Sequence, residues 1–214
     1  LDIYGILGMS CNGAFDTIAQ TLNSTKWQKL AEDFGYNQSD RSQVDFPYKK
    51  SHFDIASDDS VWSRMQLAIG QGTTTVTPLL NLMMYAAIAN DGVMMTPYLV
   101  DHYLDADGNV VEQTKPKALR SVCTKAEAEL MDEFLTYVIT NGTAAAGGSQ
   151  YARVSGKTGS AQYDSTKNYH AWFCGYGTND VSEIAVCVMI EKGGAGGIVA
   201  APVAGQIFDY YFSR

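Results

Sequence analysis

The chain has 214 residues, 46% of them hydrophobic, enough for one large domain or one domain with a fragment of another. Fifteen Lys and Arg against 23 Asp and Glu give a formal charge of −8, which argues against a nucleic-acid partner because phosphate binding needs a basic surface. No apolar run approaches the roughly 18 residues of a membrane helix. No signal peptide is visible, and an opening of Leu-Asp-Ile-Tyr rather than Met points to a piece of a longer protein.

Residues 3–9 are apolar and punctuated by glycine, and Ser10-Cys11-Asn12-Gly13 follows. Ile18, Leu22, Leu30 and Phe34 then fall on helical spacings around a polar break at Asn23-Ser24-Thr25, which predicts one or two helices from about Ala14 to Phe34. Residues 35–60 are polar and read as a long surface loop, a feature that is often functional in compact domains. Thr77 and Pro78 suit the N-cap and first turn of a helix running to about Asn90, where Asn90-Asp91-Gly92 stops it. Its alanines and methionines predict burial on more than one side. Residues 98–104 and 110–113 flank Asp105-Ala106-Asp107-Gly108-Asn109 and predict a hairpin. The run superficially resembles a calcium loop, but the glycine comes too early and the closing glutamate is missing, so a turn is the expectation.

Thr124-Lys125-Ala126-Glu127 is a capping box opening a helix through Leu130, Phe134, Leu135 and Val138 to Asn141-Gly142. Three β-like runs follow, at 153–162, 171–176 and 183–191, and predict an antiparallel sheet. The first carries Lys157-Thr158-Gly159-Ser160. Alternation puts Lys157 and Gly159 on one side and Thr158 and Ser160 on the other, and the glycine lets another backbone or a ligand approach closely. At the rim of a cleft this strand offers a cation, hydroxyls and backbone N–H groups to an anionic substrate; the alternative is an edge strand with a solvated lysine. The run Gly193-Gly194-Ala195-Gly196-Gly197 lacks the register of a dinucleotide fingerprint and has no further strand after it. It reads as a flexible connection into a last helix from Pro202 to about Phe212. His52, His102 and His170 have no metal-ligand spacing, so packing or surface roles are expected and no metal. Cys11, Cys123, Cys174 and Cys187 contain no CxxC. Cys174 and Cys187 lie about equally far from the turn between the last two runs, so a cross-strand disulfide is geometrically conceivable. Free cysteine packs as a small hydrophobe, and two buried free thiols are expected.

Taken together, several stretches resemble one family. Ser10-Cys11-Asn12 is an SxN motif and Lys157-Thr158-Gly159 a KTG motif, two of the three signatures of penicillin-binding proteins and serine β-lactamases. Ile69-Gly70-Gln71-Gly72 with Thr77-Pro78, and the run from Tyr85 to Gly92, are similar to the segment that precedes and forms a core helix in class B penicillin-binding proteins. Gly142-Thr143-Ala144 and Ala171-Trp172-Phe173-Cys174-Gly175 also fit the family's pattern. The resemblance covers nearly the whole chain in order, and Ser-Cys-Asn followed by Ala-Phe is most similar to elongation- or division-type transpeptidases of Gram-positive bacteria.

The resemblance implies an α+β fold of the penicillin-binding protein and serine β-lactamase type: a five-stranded antiparallel sheet flanked by helices beside a helical lobe, incomplete here at the N-terminus. Residues 1–145 would supply part of the helical lobe with SxN and a hairpin, and 146–214 about three sheet strands and the last helix. The implied activity is peptidoglycan D,D-transpeptidation by serine acyl transfer, without cofactors. A serine β-lactamase, a β-lactam sensor and a non-catalytic interaction domain are the alternatives. The implied partners are a stem peptide ending in D-Ala-D-Ala, β-lactam antibiotics, a missing N-terminal segment and other cell-wall synthesis proteins, outside the cytoplasm and anchored by an upstream segment. Ser10 would carry a proton between nucleophile and leaving group, Asn12 would orient the substrate peptide, and Lys157 would add charge and a hydrogen bond to Ser10. Thr158 and Ser160 would bind the substrate carboxylate, with Gly159 between them, and the Ser160 N–H would form half of the oxyanion hole. As a residue apart from the family, Ser10 could instead be a helix N-cap. Trp172 is expected as a buried aromatic, with lining of the cleft as the alternative, and Tyr151, Gln162 and Tyr163 as flanking residues within reach of substrate. One departure stands out: no lysine in the sequence has a serine three positions before it, so the SxxK nucleophile is absent, and Ser24-Thr25-Lys26 has the wrong spacing.

Overall fold

A computed structural model describes residues 2–38, 44–164, 166 and 168–214 of the chain. Its centre is a three-stranded antiparallel sheet of β5 (Arg153–Gln162), β6 (Tyr169–Thr178) and β7 (Glu183–Ile190), in the order β5-β6-β7. These are the three runs anticipated from the sequence. The registry pairs Lys157 with Cys174, Gly159 with Trp172, and Cys174 with Cys187.

The last helix, α7 (Gly196–Phe212), covers one sheet face. Phe173 and Phe208 are fully buried there and meet edge to face, 6.3 Å between ring centres, with Ala200, Ala201, Ala204 and Val154 around them. α5 (Pro78–Ala89) and α6 (Lys125–Asn141) pack against the opposite face, α5 over β6 and β7, α6 over β5. The Thr77 hydroxyl caps α5 and Pro78 lies in its first turn. The Thr124–Glu127 capping box that opens α6 forms in both directions. At the near end of this face the Asp132 carboxylate accepts hydrogen bonds from Ser155, Tyr176 and Arg153 at 2.7, 2.7 and 2.6 Å. This arrangement answers the mixed α+β architecture expected of the chain.

Three of the expectations need correction. The helical region 14–34 begins earlier and is preceded by another helix: α1 (Ile3–Gly8), α2 (Asn12–Thr21) and α3 (Ser24–Asp33), with Asn23 capping α3 at the expected break. The last helix begins at Gly196, not Pro202, and tolerates Pro202 inside it. The glycine run is therefore not a flexible connection. Gly196 is buried against the strands, where a Cβ would lie 2.3 Å from the Gly159 carbonyl oxygen and 2.4 Å from that of Trp172. Only glycine lets the helix start touch the sheet backbone.

The β2–β3 hairpin (His102–Leu104 and Val110–Gln113) forms as expected, its turn held by the Asp105 carboxylate, which accepts the N–H groups of Asp107 and Asn109. It is framed by an unforeseen pair, β1 (Val93–Met95) with β4 (Ala118–Ser121). In the expected loop 35–60, residues 39–43 lie outside the described residues. The remainder contains no helix or strand, and α4 (Val61–Ala68) follows it behind a Ser60 cap.

Candidate active site

α1 ends where α6 ends. The Gly8 carbonyl accepts the Thr143 N–H at 3.0 Å, and a Cβ on Gly142 would lie 2.4 Å from the Gly8 oxygen, so two glycines let the backbones touch. This contact fixes the turn that follows α1. In it Ser10 adopts a left-handed backbone with φ of 53°, uncommon for a residue with a side chain. Cys11, not Ser10, occupies the N-cap position of α2, with no side-chain capping bond. The Ser10 side chain is engaged elsewhere: Lys157 Nζ donates to its Oγ at 2.9 Å, across 147 positions of sequence. Lys157 Nζ also donates to the Thr158 carbonyl at 3.0 Å. The structure thus brings together the two motifs that the sequence separates. Asn12 is exposed at the first turn of α2, beside Ser10.

Lys157 is half-buried, and desolvation pulls its ammonium down from the ordinary 10.5 to about 8. The ammonium remains the major form at neutral pH but gives up its proton far more readily than an ordinary lysine, which is useful for proton transfer.

Lys157, Thr158, Gly159 and Ser160 line a cleft of about 200 Å³. Ile69, Gln71, Asn81 and Tyr85 line its other side. Trp172 also lines it and is half-buried, which corrects the expectation of a core aromatic: it sits opposite Gly159, whose missing side chain leaves the indole uncovered. On the other sheet face the Thr158 and Thr143 hydroxyls are 3.2 Å apart, and Ser160, exposed, accepts the Gly196 N–H on its Oγ at 3.1 Å. Alternation thus separates Lys157 from the two hydroxyls as the strand pattern requires.

Gln71 was not singled out by itself in the sequence. With its amide oriented to satisfy both groups, it pairs with the N–H and the C=O of Gln162, at 3.2 Å each. β5 is the edge strand of its sheet, so Gln71 closes that edge at Gln162. Outward-facing backbone groups recur at every second residue of a strand, so the N–H and C=O of Ser160 and Thr158 also point away from β6. The Lys157 contact to the Thr158 carbonyl has the same parity. Tyr163, beyond the strand end, stacks on His170 at 4.3 Å, and the Gln162 side chain turns back to the Asp164 carbonyl. Tyr151 precedes β5 and does not line the cleft. The only signal for Gln71 was its place in the Gly-Gln-Gly entry to α5.

Residues 1–209 match the family model of the penicillin binding protein transpeptidase domain. The chain is 29% identical over 203 residues to the peptidoglycan D,D-transpeptidase PbpA of Mycolicibacterium smegmatis, covering 91% of this chain and 40% of that protein. Among solved structures, the D,D-transpeptidase domain of a peptidoglycan glycosyltransferase from Eggerthella lenta superposes with a TM-score of 0.86 at 28% identity, over 97% of this chain and 52% of that one. Penicillin binding protein 3 of Mycobacterium tuberculosis, in complex with aztreonam, gives 0.81 at 26% identity over 99% of this chain and 51% of that one. The chain thus spans well under two thirds of the length of these relatives. With a family match that runs through nearly every residue, and an SxN turn joined to a KTG strand by the Lys157–Ser10 hydrogen bond, the chain belongs to the penicillin binding protein transpeptidase domain family.

Proposed function

We propose that this chain is the SxN- and KTG-bearing part of a peptidoglycan D,D-transpeptidase, and that the acylating serine of SxxK and its lysine come from protein outside these 214 residues. The observation that carries the reading is the 2.9 Å contact to Ser10 from Lys157, which itself lines the cleft. In the reaction, the serine oxygen attacks the carbonyl carbon of the penultimate D-Ala, and a tetrahedral oxyanion forms. The C–N bond then breaks and D-Ala leaves. An amine on a neighbouring stem peptide next attacks the acyl-serine and regenerates the serine. β-Lactams are proposed to acylate the same serine.

The chain's own groups serve the steps around that serine. Lys157 donates to Ser10, which leaves the Ser10 hydroxyl proton free to reach the departing nitrogen. The lowered Lys157 pKa lets it resupply that proton near neutral pH. Asn12 offers an amide that both donates and accepts, suited to a substrate peptide bond. The outward Ser160 N–H is proposed to donate to the developing oxyanion, a single donor of which is worth about 3–4 kcal/mol in model enzymes. The hydroxyls of Thr158 and Ser160 are proposed to bind the terminal carboxylate beyond the outer edge of β5, from the face opposite Lys157, where Ser160 keeps its O–H to donate while its oxygen accepts the Gly196 N–H; Gly159 gives the substrate backbone room. The protein is proposed to work outside the cytoplasm, held by a segment beyond this chain; no described helix is long and apolar enough to cross a membrane.

The test uses a fluorescent penicillin on the full protein, which carries its serine, and on this chain alone. The full protein is expected to form a persistent adduct, Lys157→Ala to slow its formation by about 100-fold or more, and the chain alone to remain unlabelled. Unchanged acylation in Lys157→Ala, labelling at Ser10, or rapid hydrolysis of the adduct would refute the reading.

A further inference from the structure

The two cysteines of the central sheet are directly opposed on β6 and β7, and their sulfurs are 3.2 Å apart. Opposed residues of an antiparallel pair have Cα atoms about 4.5–5.5 Å apart, within the span of about 4.4–6.8 Å that a disulfide bridges. Both are free thiols, Cys174 buried and Cys187 half-buried. Cys11 and Cys123 lie in separate turns, before α2 and before α6. From this juxtaposition we infer that Cys174 and Cys187 are a redox-active dithiol, which a low-molecular-weight disulfide converts into a cross-strand disulfide.

The geometry assigns the order of events. Cys174 donates its S–H to the Cys187 sulfur, and this holds the Cys187 thiol below its ordinary value while Cys174 is held above. The sulfur that is readier to ionise is therefore the more exposed one. As thiolate, Cys187 attacks one sulfur of the incoming disulfide RSSR. A Cys187–SR bond forms, the S–S bond of RSSR breaks, and one RS⁻ leaves. Cys174 then gives up its proton and attacks the Cys187 sulfur, expelling the second RS⁻. The pair loses two electrons and two protons, and RSSR is reduced to two RSH. The sulfurs need only close from 3.2 Å to about 2.05 Å. Cys174 lines the cleft and is the register partner of Lys157, so the cross-link would brace the strand beside the candidate site. Nothing in this depends on the transpeptidase reading.

The chain is incubated with glutathione disulfide, its remaining thiols are alkylated, and intact mass and peptide maps are read. Two of the four thiols are expected to disappear, with Cys174 and Cys187 in one cross-linked peptide pair that dithiothreitol releases. Cys11→Ser/Cys123→Ser is expected to behave identically, and Cys187→Ser to lose the cross-link. The oxidised chain should also unfold at a higher temperature than the reduced one. Retention of all four thiols in the folded wild-type chain, or stable glutathione adducts without the internal cross-link, would overturn the inference.

Discussion

Lys157 is a destabilising residue if its charge is held partly out of water, and this can be tested on the chain alone. A fall from 10.5 to about 8 favours the neutral amine over the ammonium by about 3 kcal/mol. The side chain lines the cleft and is only half-buried, so solvent screening reduces the usable figure to about 1–2 kcal/mol. Lys157→Met keeps the length and removes the charge, at the loss of the contacts to Ser10 and to the Thr158 carbonyl. Because the folded value lies below the unfolded one, the unfolded chain binds the extra proton between pH 8 and 10.5, and wild-type stability rises across that window. Below pH 8 the full cost applies. Lys157→Met is therefore expected to be about 1–2 kcal/mol more stable than wild type at pH 7, with the difference closing as pH approaches 10.5. Urea unfolding of both proteins across pH 7–10.5 measures it, and titrating tyrosines cancel in the comparison. A less stable variant at pH 7, or a difference that ignores pH, would refute the desolvated lysine.

Gly196→Ala should destabilise the chain by about 1–3 kcal/mol, because the new methyl meets fixed carbonyl oxygens of Gly159 and Trp172 rather than a movable side chain; thermal unfolding reads this. Asp132 is raised by burial, but hydrogen bonds from Tyr176, Ser155 and Arg153 outweigh that and leave its carboxyl below the ordinary 3.8. Its stabilising contribution is thus present above 3.8 and lost as pH falls through the lower folded value. Asp132→Asn should cost about 2 kcal/mol at neutral pH, and the deficit should shrink in strong acid; melting curves at the two pH values check both halves.

Much of the fold was legible because its signals are local. The Thr77-Pro78 start, the Thr124–Glu127 box and the Asp105 turn are each decided within a few residues, and all formed. The short strands β1 and β4 were not legible: Val93-Met94-Met95 and Ala118-Leu119-Arg120-Ser121 carry no alternation of their own and exist because they pair across the hairpin between them. The start of α7 was misread because Pro202 is a strong first-turn signal, whereas the true start is set by contact with strands β5 and β6. In the site, motifs nominated Ser10, Asn12 and Lys157–Ser160, but only tertiary structure puts Lys157 within 2.9 Å of Ser10. Gln71 escaped notice because its role lies in a backbone pair 91 residues away, and glutamine has no local pattern that announces one.

These observations share one physical logic. A peptide-binding edge must stay unpaired, yet an unpaired strand invites association along its whole length. Here Gln71 closes the outer edge at Gln162 and Lys157 occupies the Thr158 carbonyl, so the outward groups of Ser160 lie between two positions of the edge that are already engaged. The same lysine is desolvated and the same strand carries glycine where α7 and the cleft both approach it. The desolvated lysine and the glycine each weaken the strand as structure, and under the proposed function both are what leave room for one extended substrate. A stabilised β5, in which Gly159 carried a side chain and Lys157 were apolar, would be a better sheet strand and a poorer site.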